Sequence, residues 1–381
     1  MPNLEVAQNF SPAPMALEPS AASLSDLRVA QNPNATAWAD LMVAQSANAT
    51  AVALRSAAQP YADRLAYYMG ACNTSAPGSI DASSLSSEPD IDIPFLFSPC
   101  AGGGKAEDVP ECRVGHHPNC GMYAATFTRL LRDVGMGSEC VRLPTMWGDR
   151  TAGGEAAHRR RTALWVGEPM PMPVLVKTRT DDPNVPGILL KTPGIPGRHW
   201  GFLNETPPPG AHLSWEKRRD ALIWRGGRTG VEHHSTNQRQ TFVDGLVGRK
   251  SEGIDVTFAD QEEDKMSEDE MMHYRYSLSL EGNDVATDLK WKLASGMVVL
   301  MPRPTTESWL MEFALRPDVH YMRVHSPAEV PKKLKWLQAH PQEARRMSDA
   351  ARAWMLPFTD KAQELNLERD VLRKTATLVQ A

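Results

Sequence analysis

The sequence predicts a mixed α/β fold built on parallel sheet, and one passage together with the turn content carries that prediction. Tyr274 to Leu280 alternates with period two, Glu281-Gly-Asn-Asp turns, Val285 to Ser295 has room for three helical turns closed by Gly296, and Met297 to Met301 is an apolar strand. Strand, helix and strand in that order form a β-α-β unit, whose two strands run parallel. Thirty prolines and 26 glycines supply more turns than a helical bundle uses.

The remaining elements can be read along the chain. Residues 1 to 95 are rich in Ala, Ser, Asn and Pro and repeat Val29-Ala-Gln-Asn-Pro-Asn-Ala-Thr-Ala as Val43-Ala-Gln-Ser-Ala-Asn-Ala-Thr-Ala. Two copies are too few for a solenoid, so this stretch reads as a low-complexity, partly helical extension. Within it Leu54, Ala58, Tyr61, Leu65 and Tyr68 have helical spacing between Ala51 and Met69. Residues 96–206 read as a first α/β domain, with Pro173-Val-Leu-Val-Lys177 as a short buried strand. Asn204 to Gly210, with three consecutive prolines, reads as a linker, and 207–381 as a second α/β domain. There Ser326-Pro-Ala-Glu predicts a capped helix start, and Leu334, Leu337, Ala344, Met347, Ala351 and Trp354 form apolar faces broken at Pro341.

The 381 residues allow two packed domains with chain to spare. Lys plus Arg is 41 against 46 for Asp plus Glu, a net charge of -5, which offers no general field for a nucleic-acid backbone. No apolar run approaches the roughly 18 residues of a membrane span. The start, Met1-Pro-Asn-Leu-Glu, has no secretory signal pattern, yet Asn-x-Ser/Thr acceptors occur at Asn34, Asn48, Asn73 and Asn204, so the compartment stays open between a secretory lumen and the cytoplasm. Five cysteines lie at 72, 100, 112, 120 and 140; Cys112-Arg-Val-Gly-His-His-Pro-Asn-Cys120 has ligand residue types at a spacing that fits no standard zinc pattern. No metal is expected.

Chemistry gathers in two glycine-containing turns. Ile223-Trp-Arg-Gly-Gly-Arg-Thr-Gly230 places Arg225 and Arg228 around Gly226 and Gly227, followed by Thr229. Glycines let backbone N–H groups approach an anion, and guanidinium forks match phosphate oxygens. The spacing is not that of a P-loop. The second turn, Gly282-Asn283-Asp284 with Val285 and Ala286, comes after a strand and opens a helix, where an open α/β sheet offers donors to a phosphate. Asp284 is expected to cap that helix and Lys290 to reach the same pocket or cover it. Glu262 to Glu270 reads as a solvated face. His320 is a structural histidine or a ligand contact, and His233-His234 a substrate-loop element or polar filler.

Trp224-Arg-Gly-Gly-Arg-Thr-Gly, Tyr274 to Thr287, Leu289-Lys-Trp, Ala294 to Met301, Glu307-Ser-Trp-Leu-Met-Glu and Val319-His-Tyr together resemble glycosyltransferase family 90. That family includes protein O-glucosyltransferases, capsule-associated xylosyltransferases and lipopolysaccharide-modifying enzymes, and Glu281-Gly-Asn-Asp-Val-Ala-Thr is closest to the last group. The resemblance runs from about 173 to 354. It implies a GT-B-like architecture, two Rossmann-like domains facing a cleft, and inverting, metal-independent transfer of a glucose- or xylose-like sugar from a UDP-sugar to a hydroxyl of a glycan or protein. It also implies that Arg225 and Arg228 meet the diphosphate, that Gly282 to Ala286 line it through backbone, and that Glu307 lies near the sugar or ribose. Asp288 stands where many relatives carry an arginine, so Lys290 or Arg239 is expected to substitute. The implied base is an acid ahead of Pro173: Asp149, with Glu168 as the alternative. A non-catalytic relative that binds nucleotide or carbohydrate, or a phosphate-ligand enzyme of other chemistry, are the competing readings.

Overall fold

The computed structural model describes residues 38, 40–42, 61–70, 72, 78–80, 95–97, 120–137, 139, 141, 143–146, 165–166, 173–180, 187–191, 207–230 and 238–380. Asp149, Glu168, His233, His234, Cys112 and the four Asn-x-Ser/Thr sites lie outside the described residues.

In chain order the elements of the front part are α1 (Tyr61–Met69), β1 (Gly78–Ile80), β2 (Phe95–Phe97), α2 (Cys120–Asp133), β3 (Leu143–Met146), β4 (Trp165–Val166), β5 (Leu175–Val176), β6 (Arg179–Thr180) and β7 (Ile188–Leu189). The rear part holds β8 (Arg219–Gly226), α3 (Gln238–Leu246), β9 (Ile254–Phe258), α4 (Glu268–Met271), β10 (Tyr274–Leu278), α5 (Leu289–Ser295), β11 (Val298–Met301), β12 (Thr306–Glu307) and β13 (Met322–Arg323). It closes with α6 (Val330–Ala339), α7 (Pro341–Met355), α8 (Lys361–Leu378) and β14 (Val379–Gln380).

The rear sheet has the order β13-β11-β10-β8-β9, and all its pairs are parallel. Side chains alternate across it as the pleat demands. Leu222, Trp224, Tyr276, Leu278, Val298 and Leu300 face one core with Phe242 and Val243 of α3 and Leu334 and Leu337 of α6. Ile223, Val299 and Met301 face the other core, with Leu293 of α5, Ala351 and Trp354 of α7 and Leu372 of α8. Helices therefore cover both faces, and near-continuous apolar runs such as Val298 to Met301 are what a doubly covered parallel strand requires. The chain begins in the middle with β8, moves outward to β9, then crosses back to β10, so the direction reverses between β8 and β10. Crevices at the carboxyl ends of strands beside such a reversal are where open α/β sheets hold ligands.

The front part has its own sheet, β2-β3-β5-β7, parallel except for the β2 edge. Two further pairings tie front to rear: β6 runs antiparallel to β12, with Arg179 opposite Glu307, and β14 runs parallel to β1. The expected β10, β11, Gly296 cap and break at Pro341 are all present, with Gly296 at φ 79 and α7 beginning at Pro341. Two local expectations are corrected. The helix begins at Leu289 rather than Val285, since Asp284 is drawn to Lys177 of the front part and no longer available as a cap. Ser326 makes no side-chain cap; Pro327–Glu329 is a 3-10 turn, and the Glu329 carboxylate accepts from the His325 N–H at 3.0 Å. The capping box that does form is at Ser267 and Glu270, inside the acidic stretch read only as a solvated face.

Candidate functional site

The two glycine turns meet at the reversal point. Gly230, at φ 109, donates its N–H to Asn283 Oδ1 at 2.9 Å, and a Cβ on Gly230 would lie 2.7 Å from the Gly282 carbonyl oxygen. A Cβ on Gly282 would in turn strike Thr229 Oγ1 at 2.6 Å and the Arg239 guanidinium at 2.9 Å. Neither position has room for a side chain, and Gly230 also has a backbone conformation that L-residues avoid. The glycines are there because two loops and a guanidinium are packed into one layer.

Arg239, near the start of α3, is the clasp of that layer. Its Nη1 donates to the Gly227 carbonyl at 3.0 Å and to Thr229 Oγ1 at 2.7 Å, and its Nε donates to the Leu280 carbonyl at 3.2 Å. One planar cation thus fixes the loop after β8 against the loop after β10, which a lysine cannot do with a single point charge. Burial pulls its pKa down, partly offset by Asp288 and Asp284.

Arg225 and Arg228 turn elsewhere. Arg225 Nε donates to the Asp264 carbonyl at 2.8 Å, Nη1 to the Trp224 and Asp255 carbonyls, and Nη2 to Asp255 Oδ1 at 2.8 Å. Arg228 pairs with Asp260 at 2.7 Å, donates to Gln240 Oε1 and lies over the Phe258 ring at 4.0 Å, with its side chain 55% exposed. Both are directed toward β9 and the loop at its carboxyl end, so this arrangement does not bring them to the Gly282 turn. Residues of opposite charge and a carbonyl edge on the neighbouring strand take up their donors.

Beside the turn is a pocket enclosing about 280 Å³, part of it open to solvent, at the carboxyl ends of β10 and β11. Gln238, Ser279, Val285, Arg303, Thr306 and Glu312 are among its walls. Glu281 stiffens the rim: its carboxylate accepts from the N–H and hydroxyl groups of both Thr305 and Thr306, and burial raises its pKa against those bonds. Glu312 comes directly after Met311, a non-glycine residue at φ 60, and accepts from Ser308 N at 2.6 Å and Ser308 Oγ at 2.8 Å.

Lys290 is fully buried behind the pocket. Its Nζ has no hydrogen-bond partner among the described residues, lies 3.7 Å from Glu312 Oε1 and faces the Trp309 ring at 5.6 Å. Burial lowers its pKa, opposed by Glu312 and by Asp284. Asp288 accepts from Lys292 Nζ and from the hydroxyl of Ser279, a residue of the pocket wall. Glu307 is 2% exposed and held on both oxygens, by Arg179 Nε at 2.7 Å and by the Tyr67 hydroxyl. Burial raises its pKa; Arg179 and the Tyr67 hydrogen bond oppose that. His320 is structural: its Nδ1 accepts from Arg316 N at 3.0 Å, its ring lies 5.1 Å from Trp354, and burial brings its pKa down to about 4.

Thus Gly226, Gly227, Thr229, Arg239, Gly282, Asn283, Val285 and Ala286 converge, while Arg225 and Arg228 stand to one side. Lys177, Arg179, Tyr67, Glu281 and Glu312 belong to the same neighbourhood and carry no mark in the sequence. Lys177 closes the strand Pro173 to Lys177, and Glu281 and Glu312 lie within family-like motifs, but nothing local tells which opposite charge each meets. The cradle offers a small, glycine-lined surface with the Arg239 guanidinium set into it, a form that can take an anionic group with a neighbouring ring or sugar.

Comparison with known proteins bears on the same stretch of chain. The family model described as Glycosyl transferase family 90 matches residues 202–362. That segment holds both glycine turns, Arg239, Lys290 and Glu307. The chain is 30% identical over 216 residues to O-glucosyltransferase LpsA of Dichelobacter nodosus, covering 55% of this chain and 64% of that protein. It is 21% identical over 201 residues to Uncharacterized protein 179R of Invertebrate iridescent virus 6, covering 42% of this chain and 17% of that protein. The chain therefore spans less than two thirds of the length of either relative. The resemblance read from the motifs is supported over the rear part. Among the described residues no helix is long and apolar enough to cross a membrane.

Proposed function

We propose that the protein is a glycosyltransferase that moves a sugar from a nucleotide-sugar, UDP being the expected nucleotide and glucose the expected sugar, to a hydroxyl of a glycan or protein. The observation that carries this reading is the Gly230–Gly282 contact clasped by Arg239 at the strand reversal, inside the segment that matches the family. The name of the glucosyltransferase relative supports the choice of sugar. The proposal includes a GT-B arrangement, with front and rear sheets on either side of a cleft, as the family resemblance implies.

In this mechanism the departing nucleoside diphosphate gathers negative charge, and the proposed groups that meet it are Arg239 and the backbone of the two turns, with Lys290 as a buried charge behind them. Preorganised donors of this kind stabilise developing charge without a reorganisation cost. An acceptor hydroxyl is a weak nucleophile, so a carboxylate must remove its proton during attack, worth roughly 10² to 10⁴ in rate. Asp149 is the proposed base and Glu168 its substitute; single inverting displacement without a metal completes the proposal. Asp288, the departure that would favour a non-catalytic relative, is paired with Lys292 and supports the charge on Arg239.

Purified protein incubated with UDP-glucose, UDP-xylose and UDP-galactose is expected to release UDP from the first at the highest rate, with EDTA leaving that rate unchanged. No release and no nucleotide binding across the panel would discard the proposal. Asp149→Asn is expected to keep UDP binding and lose transfer by about 10² or more; full activity in that variant transfers the role to Glu168.

A further inference from the structure

The turn that lines the cradle contains a buried acid, which by itself would repel a diphosphate. Asp284 is 4% exposed, and its Oδ2 lies 2.8 Å from Lys177 Nζ, both side chains being nearly enclosed. Thr178 Oγ1 donates to the same oxygen at 3.5 Å. Lys177 and Thr178 belong to the front part, immediately after β5, and the next residue, Arg179, pairs with Glu307 while β6 zips onto β12. The front part thus enters the rear site along one short strand and delivers two cations to two buried acids.

Among the described residues around Asp284, Lys177, Lys290 and Arg239 are the cations, Asp284 and Glu312 the acids, and Asp288 is matched with Lys292. Without Lys177 the Asp284 carboxylate loses its contact ion pair beneath the Gly282 to Ala286 turn, and the set becomes one charge more negative. At roughly 7 Å and an effective dielectric of about 20, one unit charge changes the affinity for an anion by tenfold or more.

We infer that Lys177 is a positioning residue for the donor: by holding and neutralising Asp284 from the opposite sheet, it lets the Gly282 turn face a diphosphate. This deepens the glycosyltransferase reading and rests on it. The role also explains why the turn does not start a helix at Val285, since the carboxylate that would cap it is pulled across to the front part.

The test measures binding of UDP and of inorganic pyrophosphate by calorimetry to the full chain and to Lys177→Met, Lys177→Arg and the double variant Lys177→Met with Asp284→Asn. Lys177→Met is expected to weaken both ligands at least tenfold, Lys177→Arg to retain affinity, and the double variant to return to within about threefold of the parent. A merely structural lysine would lower the melting temperature and leave the affinity of the folded single variant unchanged, which overturns the inference. A folded double variant as weak as the single one overturns it too. If Lys177→Met does not fold, the neutral double variant decides by the same criterion. A parent protein that binds neither ligand defeats the donor reading itself and the inference with it, whereas a parent that binds UDP isolates the result to Lys177.

Discussion

Arg239→Ala is expected to reduce donor affinity and turnover by roughly 10² to 10³, the scale for losing one preorganised donor at a site of developing charge. The side chain makes three hydrogen bonds to two different loops, so its loss removes a cation and unfastens the cradle together. Arg239→Lys is expected to restore only a small part, since one ammonium cannot span the Gly227 and Leu280 carbonyls in a plane. UDP binding by calorimetry and UDP release with saturating donor separate affinity from turnover. Arg225→Ala gives the contrast. With its donors committed to Asp255 and Asp264, it is expected to lower the melting temperature while leaving the donor KM within a few fold. An Arg239→Ala protein with parental UDP affinity, or an Arg225→Ala protein that is stable but cannot bind UDP, would reverse the assignment of these two arginines.

The largest effect on stability is expected from Glu364. This residue of α8 is fully buried and accepts from Arg64 of α1 on both oxygens, one at 2.9 Å, and from Lys191 after β7. Burial opposes its charge, but Lys191 and Arg64 outweigh that and hold the carboxyl below its ordinary range. Its neighbour Glu368 is pushed by burial up to about 8, which leaves Glu364 as the main counter-charge for the two cations. Burial pulls Lys191 down to about 7, while the Trp309 ring at 4.4 Å gives its ammonium an aromatic face. Glu364→Gln keeps the shape and removes the charge, stranding the Arg64 guanidinium and pushing buried Lys191 further toward its neutral form. The expected cost is about 3–5 kcal/mol in urea unfolding, the scale for breaking a buried pair from one side. A loss under about 1 kcal/mol would mean that water reaches the network and screens it.

How far the sequence could be read depended on the range of the interactions. The β10, α5 and β11 unit was legible because alternation, an apolar run and a left-handed glycine are local properties, each visible within a few residues. The glycine turns were legible for the same reason, since a missing Cβ announces a close approach even when the approaching group is unknown. What approaches was not legible. Arg225 looks like a phosphate ligand from its neighbours Gly226 and Gly227, yet Asp255, thirty positions away on the adjacent strand, captures it. Asp284 looks like a helix cap, yet Lys177, more than a hundred positions earlier, takes it. Charge pairing across sheets leaves no periodic trace, so Arg239 entered only as a substitute although it makes the central contacts.

The route of the last twenty residues has a consequence for how the protein matures. The family match stops at 362, but α8 continues to Leu378 and β14 lays Val379 and Gln380 alongside Gly78 and Ser79. During synthesis β1 must wait for its parallel partner, and Arg64 and Lys191 for the Glu364 carboxylate, until β14 and α8 have emerged. The front part therefore cannot lock until the whole rear part has followed it, so its contacts form late and over a long stretch of chain.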